Sequence, residues 1–135
     1  MFKWLAAYFS MIVLMLVVDV IWLSVIAKPI YQQGIGHLMA AKPNLLFATL
    51  FYLVYVFGLL RFAIKPTRAW AGVKQTFFAG ASVGLLVYAS YDLTNLALLK
   101  DWPLDLALMD VAWGTLLSGI TASVGKLVFD RFKDG

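Results

Sequence analysis

Three aspartates lie inside hydrophobic stretches: Asp19 in LMLVVDVIWLSVI, Asp92 in LVYASYDLTNLALL and Asp110 in LALMDVAWGTLLSGI. An acidic side chain at the centre of a spanning helix costs about 2.5–3.5 kcal/mol on insertion scales, so three of them require a role. Carboxyls in such a setting serve three kinds of chemistry. They act as a general acid and a general base whose proton affinities are set apart by burial and mutual repulsion. They accept protons or cations beside a cavity. Or, protonated, they hydrogen-bond Tyr, Trp or Asn on a neighbouring helix and fix the packing.

The elements that must position them are helices in lipid. Of 135 residues 63% are hydrophobic and 16% aromatic, and the mean hydropathy is +0.88; a soluble domain of this size could not bury so much apolar surface. Cysteine is absent, which excludes disulfides, thiolate metal sites and thiol redox chemistry. Glutamate is absent too. The remaining acids are Asp101 and Asp105 in a loop and Asp130 and Asp134 in the tail. The net charge of +4 does not indicate a nucleic-acid partner, because the basic residues sit at helix ends and form no single patch.

About 20 apolar residues cross a bilayer as a helix, and four runs qualify: roughly 4–26, 43–64, 74–99 and 104–127. No alternation of the kind a membrane barrel needs is present. The expected fold is therefore all-α, a polytopic four-transmembrane-helix bundle forming one domain over 1–135, with an outer loop at 27–42. Lys28-Pro29, Lys42-Pro43, Lys65-Pro66 and Trp102-Pro103 mark the boundaries, since proline starts a helix but is not tolerated in its interior. With a cytoplasmic N-terminus, Lys3, Arg61, Lys65, Arg68, Lys74, Lys126, Arg131 and Lys133 lie inside, and only Lys28, Lys42 and Lys100 outside. That asymmetry predicts an N-in/C-in protein of the inner membrane. Trp4, Trp70 and Trp102 fall near expected interfaces. The first run is too long for a signal-peptide core and lacks a small-residue cleavage site, so it is read as a span.

Helix rise converts these positions into depths. Asp19 precedes Ile26 by seven residues, Asp92 precedes Lys100 by eight and Asp110 follows Pro103 by seven, placing each about 10–12 Å below the outer edge at 1.5 Å per residue. In the third span Gly80, Gly84, Tyr88, Asp92 and Asn95 share a stripe, with Tyr91 and Thr94 beside it; in the fourth, Asp110, Gly114, Ser118, Thr121 and Gly125 do so, flanked by Trp113. Small residues allow close approach, so these two faces are expected to meet. The first span adds Tyr8, Asp19 and Trp22, the second Asn44, Ala48, Tyr52 and Tyr55. The outer loop, with Tyr31, Gln32, Gln33, Gly34 and Gly36, would fold over the outer mouth and bring the only histidine, His37, toward the carboxyls. Three aspartates with His37 offer few oxygens for a hard metal ion, so no metal site is assigned.

Asp19-Val-Ile-Trp22-Leu, Phe51-Tyr52-Leu-Val-Tyr55, Tyr91-Asp92-Leu-Thr94-Asn95 and Trp102-Pro103 followed by Asp110-Val-Ala-Trp113-Gly114 together resemble the bacterial family catalogued as domain of unknown function 2177. The resemblance covers essentially the whole chain. It implies a small four-span inner-membrane protein and assigns no activity and no cofactor. The residues themselves favour an aromatic, Asp-lined pocket toward the outer leaflet that binds a lipidic or small amphipathic molecule. In it Asp92 with Asn95 orients the polar end, Asp19 and Asp110 exchange protons, and Trp22, Trp113, Tyr88 and Tyr91 form walls. A membrane-embedded lipid or isoprenoid enzyme, a proton-coupled transporter working as a homodimer, and a structural or accessory subunit all remain compatible with this pattern.

Overall fold

The computed structural model describes residues 1–68 and 72–132. Four helices in it are long and apolar enough to cross a membrane: α1 (Phe2–Ile26), α3 (Leu45–Thr67), α4 (Val73–Leu98) and α5 (Leu104–Arg131). A short helix, α2 (Lys28–Ile35), and a 3-10 turn (Gly36–Leu38) fill the connection between α1 and α3. No strand occurs among the described residues. Trp70, expected at an interface, and Lys133 and Asp134 of the tail lie outside them.

Local signals start the helices. Asn44 caps α3, its side-chain oxygen accepting from Leu46 N at 3.1 Å and Phe47 N at 3.4 Å; its expected place on an interior stripe is thus a capping position. Pro29 sits in the first turn of α2, where its missing N–H costs nothing. Pro66 departs from expectation, because α3 continues through it to Thr67. The preceding turn, Leu60–Ile64, is π-helical, and widening the backbone there changes which carbonyls face the proline ring. A second π turn, Trp22–Ile26, ends α1.

The most apolar window of α5 is 44% buried, against 17% for α1 and α3 and 22% for α4, so α5 is the central helix. Its largest interface is with α4. A Cβ on Gly84 would stand 2.5 Å from the Gly114 carbonyl oxygen, and one on Gly80 2.7 Å from that of Ser118, so backbone approaches backbone as the small-residue stripes predict. Gly114 in turn makes room for the Tyr88 ring. Gly125, expected on the same interface, instead lies under Met11 of α1 and Ile64 of α3.

The end of the bundle that carries Phe2 and Arg131 is closed. Lys126 is buried and donates to Asp130 Oδ1 at 2.8 Å and to the Arg68 carbonyl at 3.2 Å. Thr67 and Thr76 share a hydrogen bond at 2.7 Å, and Trp4 packs on Phe129 with ring centroids 4.5 Å apart. At the opposite end α3 stands away from α4. Its main packing on α4 and α5 runs through the π turn, while Leu45, Leu46, Phe47, Leu50 and Phe51 are all exposed.

Candidate functional site

Each aspartate is held by an aromatic donor from another segment. Asp19 on α1 accepts from the Tyr52 hydroxyl of α3 at Oδ2 and from Trp113 Nε1 of α5 at Oδ1, the latter at 3.2 Å. Asp110 on α5 accepts from the Tyr31 hydroxyl of α2 at 2.7 Å. Asp92 on α4 accepts from Trp102 Nε1, in the α4–α5 connection, at 3.3 Å. All three are buried, Asp92 completely. Its Oδ2 has no hydrogen-bond partner among the described residues, and the Asp110 carboxyl is its neighbour across the α4–α5 interface. Two carboxyls so close need either a shared proton or a cation between them.

Asp19 and Asp110 line a cavity of 510 Å³. Trp22 and Trp113 form one wall, stacked with centroids 4.2 Å apart and planes 6° from parallel. The π turn begins at Trp22, three residues after Asp19, and so shapes the backbone where ring and carboxyl enter the same cavity. Tyr88, Tyr91 and Trp102 also line it, Tyr91 edge-on to Trp102 at 5.7 Å. Tyr31, Leu23, Phe51 and Val87 complete the lining; the last three are 44%, 42% and 40% exposed, so the cavity reaches the molecular surface at these side chains. Among the described residues no Lys, Arg or His lines it.

The α1–α3 connection folds onto the start of α5: a Cβ on Gly34 would lie 3.0 Å from Pro103 Cγ and 3.1 Å from Leu106 Cδ1. Tyr31, not His37, is the side chain it delivers to the carboxyls. Tyr31 and the buried Ile35 are four residues apart on α2 and share its inner face. His37 follows on the 3-10 turn and pairs with Asp101 at 3.4 Å, both side chains more than half exposed. Burial pushes the Tyr31 phenol above its ordinary value of 10.0, and the hydrogen bond to Asp110 and that residue's charge push it further. Tyr31 is therefore a donor throughout the physiological range.

Asp19, Asp110, Trp22, Trp113, Tyr88 and Tyr91 thus meet in one cavity, with Asp92 behind Asp110. Asn95 lies a turn beyond Asp92 and off the cavity wall. Tyr31, Tyr52 and Trp102 were not singled out by sequence for this site. Tyr52 was legible only as part of an inward stripe, and Trp102 only as an interfacial ring. Among the described residues no three His or Asp side chains are grouped to hold a metal ion.

A family profile described as "Predicted membrane protein (DUF2177)" matches residues 4–127. The chain belongs to that family, as the motifs around Asp19, Asp92 and Asp110 suggested. No curated protein and no solved structure matches it.

Proposed function

We propose that this member of the DUF2177 family holds an amphipathic molecule within the membrane, its polar end at Asp19 and Asp110 and its hydrocarbon part leaving between α3 and α4. One observation carries the reading: the cavity combines buried carboxyls at its inner side with lipid-exposed Leu23, Phe51 and Val87 at its open edge. A purely structural cluster needs no such space, and pockets that take small ligands are concave, mostly apolar and fitted with a few convergent polar groups. The eight-to-three distribution of basic residues supports both termini in the cytoplasm of a bacterial cell. The cavity then faces the outer leaflet of the inner membrane.

The facing carboxyls of Asp92 and Asp110 favour a proton-handling role for the same pocket. In an enzyme acting on a lipid or isoprenoid, one of the pair is general acid and the other general base. In a proton-coupled transporter, the pair takes up a proton as the ligand leaves, and a chain this small forms a homodimer to alternate access. A structural or accessory subunit uses the aromatic-held carboxyls as interhelical glue alone. Lipid that copurifies with the protein, identified by mass spectrometry, separates these. A chemically altered lipid marks an enzyme, and tracer uptake into vesicles without alteration marks a transporter. Absence of any bound amphiphile contradicts the pocket reading and leaves the structural one.

A further inference from the structure

We infer that the polar end of the molecule held in this cavity is a cation, an alkylammonium group, and not a phosphate or another anion. The inference rests on the pocket reading and adds the charge of its occupant. Phosphate sites are built from Lys, Arg or free backbone N–H groups, and among the described residues no basic side chain lines this cavity. Both oxygens of Asp19 accept hydrogen bonds, from Tyr52 and from Trp113, so this carboxyl is held as an acceptor group. An anionic head would bring further acceptors against the Asp19 and Asp110 carboxyls in a setting of low dielectric, where like charges repel strongly.

The aromatic lining supplies what a cation needs. Ring faces carry negative electrostatic potential, and tryptophan binds ammonium groups best. Trp22, Trp113 and Trp102 are three of the chain's five tryptophans, and all three line the cavity with Tyr88 and Tyr91. Rings surrounding a carboxylate form the arrangement by which proteins recognise ammonium ligands. Asp92 adds an independent observation: it is fully buried, its Oδ2 lacks a donor, and it stands against the Asp110 carboxyl. An ammonium group seated on Asp110 places a cation beside two adjoining carboxyls and offsets their repulsion. The apolar edge at Phe51 and Val87 accommodates the alkyl chain.

The test titrates the full-length protein in dodecyl maltoside micelles at pH 7 with dodecylammonium, dodecanol or dodecyl sulfate, three probes that share one chain and differ in head charge. Tryptophan emission and the shift in Tm report binding. Dodecylammonium should bind saturably and at least about tenfold more tightly than either comparator, the expected scale for desolvated cation–π and carboxylate contacts. Asp110→Asn and, separately, Trp22→Leu should erase most of that preference, bringing dodecylammonium down to the affinity of dodecanol for the same variant; the second variant removes a ring without touching a carboxyl. Equal binding of all three probes overturns the inference and leaves the pocket. Saturable binding of none contradicts the pocket itself. Benzylammonium, which has the head without the chain, distinguishes the source: comparable affinity marks a free organic cation, and much weaker binding marks a membrane amphiphile, both in support of the charge assignment.

Discussion

At the scale of the residue, Asp19, Asp92 and Asp110 are each defined by an aromatic donor. Intramembrane hydrogen bonds are individually modest, and their value lies in fixing geometry. Tyr31 carries the clearest prediction because it sits outside the spans, on α2. Its phenol is raised above 10.0 in the folded protein. The native state therefore favours the protonated form, and that stabilisation is complete below pH 10 and lost as pH rises beyond it. Tyr31→Phe should lower stability at neutral pH by about 1–2 kcal/mol, by leaving Asp110 Oδ1 without its donor. It should also make the decline of Tm above pH 10 shallower than in the parent protein, as a thermal-melt series in detergent would record. The three aspartates were legible in the sequence because a charge in an apolar run is conspicuous. Tyr31, Tyr52 and Trp102 were not, since which ring meets which carboxyl depends on how the helices are rotated against one another. No spacing along the chain records that.

At the scale of the element, the α4–α5 interface is set by glycines whose positions allow backbone contact. Gly84→Ala places its Cβ 2.5 Å from a carbonyl oxygen that cannot swing aside. Overpacking of this kind costs about 1–3 kcal/mol. Gly58→Ala is the control: nothing lies within 4 Å of a Cβ there, and replacing a helical glycine should leave stability unchanged or raise it by about 0.5–1 kcal/mol. Paired melts of the two variants check both statements, and similar Tm values would mean that the stripe does not govern packing. The glycine stripes, like the long helices, could be read from periodicity. The short α2 could not. Gly34 and Gly36 make 27–42 look like a plain loop, yet Gly34 is the residue that lets α2 settle onto Pro103 and Leu106. Its helicity comes from tertiary packing, which a short stretch does not announce. The π turns are hidden for the same reason, because apolar runs of normal length give no sign of one extra residue in a turn.

For the whole molecule, the two ends of the bundle differ. Lys126, Asp130, Thr67 and Thr76 seal one end, while the other holds the aromatic cavity, which reaches the surface at Leu23, Phe51 and Val87. Orientation decides which leaflet the opening serves. Reporter fusions after Ile35, Arg68, Asp101 and Gly135 should alternate outside, inside, outside, inside. Periplasmic activity of the fusion at Arg68 would invert the bundle and move the cavity to the inner leaflet. The central claim is that the carboxyls form a ligand site and are more than interhelical glue. Asn keeps the shape of Asp and much of its hydrogen bonding but carries no charge and exchanges no proton. Native mass spectrometry of the purified wild type beside an Asp19→Asn, Asp92→Asn, Asp110→Asn triple variant tests the claim most directly. The account predicts a bound amphiphile on the wild type and none on the triple variant, with both proteins inserted and melting at similar temperatures. An amphiphile held equally by the variant, or by neither protein, would contradict it.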